Sequence, residues 1–283
     1  MAKHLTLAIL VTTLGLEWLT GLSASGLAYS ASARSPVPSR SQPDLVAQRL
    51  GFTMRNSRPS RNQLPDIARG GCIEDGIPSN VDLIPLITPT TSEVAERGEV
   101  EVELTTSAHP TLFVYISPTT VNKIRVDLQS EHGDLLYEAM LDLPEDIRDS
   151  GKIIEIPIPE TVEPLAVNGV YSWSVSLLCN VDDANPLVEG WMQRIEDPEL
   201  ASQIGEADER SYPTLYAAAG IWHETLASLA TLRQKNPEDT TLVEDWESLL
   251  DSVDLEGLAD APIVPLSHGA VLEPAAIETG LVP

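Results

Sequence analysis

Between Val81 and Ile195 apolar and polar residues alternate over most of the chain. Val100, Val102 and Leu104 interleave with Glu99, Glu101 and Glu103, and Ile124, Val126 and Leu128 interleave with polar neighbours, so each set falls on one face of a strand. Leu112 to Ile116 (LFVYI) is apolar on both faces, as a central strand is. The turn EHGD, Glu131 to Asp134, leads into a further strand, LLYEAML. Ile154, Ile156 and Ile158 continue the alternation, and Pro157 and Pro159 mark an edge or a strand end. In YSWSVSLLC, Tyr171, Trp173, Val175, Leu177 and Cys179 share one face and Ser172, Ser174 and Ser176 the other, which places Trp173 in a core.

Seven or eight short strands at this spacing predict an antiparallel, immunoglobulin-like β-sandwich over residues 69–196. After Glu196 the period becomes helical. Asp197-Pro198 reads as an N-cap with proline at the first helical position. Pro213 opens a longer helix with Leu215, Ile221, Trp222, Leu226, Leu229 and Leu232 on its apolar stripe, stopped by Pro237. A third helix from about Thr241 to Val253 places Leu242, Trp246, Leu249 and Leu250 on one face. The fold class is therefore α+β: the sandwich, then a C-terminal helical hairpin over residues 197–262. The hairpin is expected to dock through Trp191 or its neighbours, with Trp222 and Trp246 in a shared core. Half of a tetratricopeptide pattern in the first long helix, without a second period, makes no solenoid.

The ends of the chain follow other rules. Lys3, the apolar run Leu5 to Leu16 and the small-residue stretch ending at Ala31 to Ala33 have the order of a secretory signal peptide, residues 1–33. Glu17 stops the run short of the roughly 20 residues a membrane span needs, so the mature chain is expected to be extracytoplasmic, periplasmic or secreted, without a transmembrane segment. Residues 34–68, rich in Ser, Pro and Arg, are expected to form a disordered basic tether, and residues 263–283 a flexible tail. Residues 34–70 hold seven arginines against two aspartates, which leaves the whole of the formal net charge of −26, and more, on the body. An acidic body of this kind repels nucleic acid and anionic lipid.

The compartment gives the cysteines their meaning. In a reducing cytosol Cys72 and Cys179 would read as buried thiols, but in an oxidising one they read as a single structural disulfide. Candidate chemistry is sparse. HETLA, from His223 to Ala227, starts like the H-E-x-x-H zinc helix but has alanine where the second histidine belongs, so His223 and Glu224 read as polar residues on a helix surface. No G-x-S-x-G elbow, phosphate loop or dinucleotide fingerprint occurs, so no catalytic residue and no cofactor is expected. Asn180, Asp182 and Asn185 in NVDDAN form an oxygen-rich turn that calcium could use, although turn-forming residues account for it as well.

RGGC (69–72), HPTLFVYI (109–116), YSWSVSLLC (171–179), VEGWMQRI (188–195) and LYAAAGIWHETLASLATLR (215–233) together resemble the successive blocks of the cyanobacterial domain-of-unknown-function family 928. The resemblance runs from about residue 69 to 265 and implies an exported protein but no particular reaction. HPTLFVYI is less aromatic than the family's usual form, which weakens any aromatic surface there. Two functional classes follow. One is a non-catalytic interaction or scaffold module with an exported or envelope protein as partner. The other is an envelope polysaccharide-binding protein or hydrolase that works through surface carboxylates and aromatics, and exposure of Trp191 and Trp222 separates the two.

Overall fold

Among the described residues, alternation at period two folds into two five-stranded sheets. The computed structural model describes residues 49–54, 68–74, 77–179 and 185–266. In chain order the elements are β1 (Ala68–Glu74), β2 (Ile77–Pro85), α1 (Ser92–Glu96), β3 (Glu103–Thr105), β4 (Thr111–Ile116), β5 (Lys123–Ser130), β6 (Leu135–Asp142), β7 (Lys152–Pro157), β8 (Val170–Leu177) and β9 (Leu187–Arg194). There follow α2 (Pro198–Glu206), α3 (Tyr212–Ala218), α4 (Trp222–Lys235), α5 (Thr240–Asp251) and β10 (Ile263–Pro265). The first sheet has the order β1-β2-β4-β7-β10 and the second β3-β9-β8-β5-β6.

The two sheets face each other as in a sandwich, but both are mixed. β10 pairs with β7 in parallel, and β3 pairs with β9 in parallel. Alternation of side chains marks a strand without giving its direction, and these two three-residue edge strands are reached through long connections, as parallel pairing requires. The purely antiparallel expectation is corrected accordingly. β10 also lies inside the stretch read as a flexible tail.

Three layers result. Leu112, Val114 and Ile116 of β4 and Ile154 and Ile156 of β7 pack against Ile124, Val126, Leu128, Trp173 and Val175 of the second sheet. On the other face of the first sheet, Phe113, Ile153 and the half-buried Tyr115 pack with Trp222, Leu226, Leu229, Trp246 and Leu250. This second covering explains why LFVYI is apolar at every position. The helices therefore dock on the β4–β7 face and not through Trp191, which lies on the outer side of β9 with Val100 and Val102. Trp222 and Trp246 do share one core.

Local signals account for the helix limits. The Asp197 side chain accepts from the Leu200 N–H at 3.0 Å, with Pro198 in the first turn of α2. The stretch after Pro213, read as one helix, is broken: Gly220 takes a positive φ of 70°, so α3 ends and α4 begins afresh at Trp222. Gly190 is needed for a different reason. It stands opposite Trp173, and a Cβ there would lie 2.4 Å from the indole.

Cys72 of β1 and Cys179, just past β8, form a disulfide with Cα atoms 5.4 Å apart and a sequence separation of 107. It ties the edge of the first sheet to the second, and a loop of that size corresponds to roughly 4 to 5 kcal/mol in the chain-entropy account. Residues 49–54, within the stretch read as a tether, lie against the helices: Leu50 is buried, and Phe52 meets the Trp222 ring edge-on at 4.8 Å. The signal-peptide segment, most of the tether and residues 267–283 lie outside the described residues.

Candidate functional site

Where β3 meets the start of α4, three ionisable side chains come together, Glu103 and His223 buried and Glu224 partly so. β3 is short and covered on both sides, so alternation fails there: Leu104 packs with Leu200 and Ile221, while Glu103, read as a solvent-facing residue, is 6% exposed. The first turn of α4 abuts this strand and brings His223 and Glu224 inward. His223 is 4% exposed, which corrects the reading of HETLA as helix surface.

Each carboxylate holds a different loop. One oxygen of Glu224 accepts from the Thr105 hydroxyl at 2.6 Å, the Ser107 N–H at 2.8 Å and the Thr106 N–H at 3.0 Å. One oxygen of Glu103 accepts from the Thr88 N–H at 2.7 Å, and the other faces His223 Nε2 at 3.3 Å. His223 Nδ1 faces the Thr111 carbonyl at 3.3 Å. Both ring nitrogens thus look at acceptors, and only the doubly protonated ring can donate to both. Burial works against the charge, but Glu103 above all, then Glu224 and the Thr111 carbonyl, outweigh it and hold the His223 pKa above its ordinary value. The cluster joins β3, β4 and α4 by charge-assisted bonds.

Beside this clamp opens a cleft of about 450 Å³ between α2, α3 and the end of β9. Its walls are Ile195, Pro198, Leu200, Ala201, Ile204 and Tyr216, its floor includes Thr106, and Glu196 and Asp197 stand at its rim. Thr106 is the residue whose N–H reaches Glu224, so the buried clamp fixes the cleft floor. Burial, then Glu224 and Tyr212, raise the Tyr216 pKa and keep its phenol neutral. A second hollow of about 370 Å³ lies across α2, with Thr53, Met54, Gln203 and Gly220 in its lining. Leu200 and Asp197 line both, and Leu200 is the one buried side chain of α2.

Other candidates are placed as follows. Asn180 and Asp182 lie outside the described residues, while the Asn185 side chain accepts from the Cys179 N–H at 3.0 Å. Among the described residues no group of three His, Cys, Asp or Glu side chains is placed to hold a metal ion. No helix among them is long and apolar enough to cross a membrane. Trp173, Trp191, Trp222 and Trp246 are all buried, so none offers a sugar-stacking platform. Sequence reasoning missed Glu103 and Glu224 because a glutamate in an alternating strand or on a helix reads as solvated. The one available signal was their position at the start of a short strand and in the first turn of a helix.

A search of curated proteins finds no match to the chain. Residues 66–263, which contain β1 to β9, the helices, the clamp and the cleft, match the family described as Domain of Unknown Function (DUF928), and the chain belongs to that family.

Proposed function

We propose that the protein is a non-catalytic extracytoplasmic interaction module, and that the cleft between α2, α3 and β9 takes an apolar side chain from another exported or envelope protein, flanked in that partner by lysine or arginine. The observation that carries this reading is the cleft itself: apolar walls, Glu196 and Asp197 among its lining, and Thr106, whose N–H donates to Glu224. Clefts of this size and character suit binding of a few anchoring groups. The formal net charge of −26 favours a basic partner and a fast, salt-sensitive encounter. A disulfide fits an oxidising compartment, in keeping with the signal-like N-terminus.

The test is capture from an envelope fraction of the source cells, with the wild-type chain and Ala201→Arg compared side by side. Ala201 is exposed on the cleft wall, so the substitution blocks the cleft and offsets part of its negative charge without entering a core. A partner held by the wild type, released by added salt and lost with Ala201→Arg, fits the proposal. Equal capture by both proteins would move the surface elsewhere. Release of free sugar from envelope polysaccharide by the purified chain would replace the reading with the hydrolase alternative.

A further inference from the structure

Residues 49–54 precede the family-matched region, which begins at residue 66, yet they supply side chains to its helix core. They run without a strand partner among the elements of either sheet. Their side chains nevertheless alternate as in a strand: Arg49, Gly51 and Thr53 are exposed, while Leu50 is buried and Phe52 and Met54 are partly covered. Leu50 belongs to the core built on α4 and α5, and Phe52 lies edge-on to Trp222 at an interplanar angle of 70°. The backbone is held by side chains of α5 and its end: the Leu50 N–H donates to the Asp245 carboxylate, and the Phe52 N–H donates to the Ser252 hydroxyl at 3.1 Å. A Cβ at Gly51 would meet nothing within 4 Å, so the position between the two anchors is unrestricted.

Apolar anchors at alternate positions, with backbone N–H groups captured by fixed side-chain acceptors, are how a folded surface holds an extended peptide. We propose that the surface formed by Trp222, Asp245 and Ser252 is a peptide-acceptor groove for an extended Leu-x-Phe segment, with residues 49–54 of the same chain as its resident occupant. The family-matched body is the receptor and residues 49–54 of the preceding segment its ligand, held on the core of α4 and α5.

The test uses the full chain with a specific protease site placed between residues 55 and 67. After cleavage the N-terminal piece is expected to co-elute with the body on gel filtration. A synthetic peptide spanning residues 47–54 should displace it, with a change in tryptophan fluorescence as Phe52 leaves Trp222. Phe52→Ala in the same chain should weaken retention at least about tenfold, as loss of a central aromatic anchor does. Separation of the wild-type piece on cleavage would overturn the proposal. So would retention that salt abolishes and Phe52→Ala leaves unchanged, because arginine attraction to the acidic body would then be the whole of the attachment. Because cleavage follows folding, the wild-type measurement does not depend on whether the Phe52→Ala chain folds.

Discussion

Between the sheets, Leu112, Val114, Ile154 and Ile156 meet Ile124, Val126 and Trp173 through apolar contact, whereas the helices add to their apolar contact with Phe113 and Ile153 of the first sheet a charged clamp, Glu103, His223 and Glu224, that ties α4 to the edge strand β3 of the second. The first interface gains its energy from area and volume, and such packing accepts any well-fitting apolar set. The second is specific to position, because a buried carboxylate that slips along the strand loses its donors and keeps its desolvation cost. Apolar packing thus holds the layers together, and the clamp sets where α4 stands relative to β3. The cleft depends on the clamp, since Thr106 links the two.

The largest test of this comparison is Trp222→Ala. Trp222 is 1% exposed and its indole N–H donates to the Leu86 carbonyl at 2.9 Å. Its loss should lower stability by about 3 to 5 kcal/mol in one calorimetric transition, and two separated transitions would show that helices and sheets unfold independently. Next comes the double change Cys72→Ser with Cys179→Ser, expected to cost about 2 to 5 kcal/mol in urea unfolding. A smaller loss would mean that apolar packing between the sheets fixes them without help from the bridge.

Glu224→Gln keeps the shape and removes the charge that three donors address. A loss of about 1.5 to 3 kcal/mol is expected, together with faster hydrogen exchange at the Thr106 and Ser107 amides, while amides of β5 and β8 stay as they were. For His223 the folded pKa lies above the unfolded value of about 6.5. Its contribution is therefore fully present below that value and disappears as pH rises through the folded pKa. Unfolding free energies from about pH 5 to 9 should fall more for the wild type than for His223→Gln, and parallel curves would show that the pair does not titrate on folding. The smallest effect should come from the outer face of the second sheet. Arg125, half exposed and paired with Asp127 at 3.0 Å, should lose less than about 1 kcal/mol on change to alanine.

Periodicity made much of this architecture readable. LFVYI is apolar throughout because β4 is covered by a sheet on one side and helices on the other, and Asp197-Pro198 and Pro237 mark helix limits through backbone chemistry that holds in any context. What stayed hidden depends on contacts distant in sequence. Glu103 and Glu224 are inward only because the partner element arrives from more than a hundred residues away. Leu50 and Phe52 stand alone in a polar stretch, and nothing local shows that Trp222 waits for them. The parallel direction of β3 and β10 is likewise invisible to a pattern with a period of two residues.

The pairing of β10 with β7 also imposes an order on the making of the molecule. Ile263 stands beside Ile153, and β8, β9 and the helices α2 to α5 lie between them in sequence. A chain emerging from its N-terminus can form β4 and β7 early, but the far edge of β7 stays open until the last described strand has been made and carried back across the helices. Contacts so distant in sequence form slowly, and an open strand edge is a template for any extended chain nearby. An interrupted chain lacking residues 263–265 would therefore carry its greatest risk of association at β7, with the sheet interior already complete behind it.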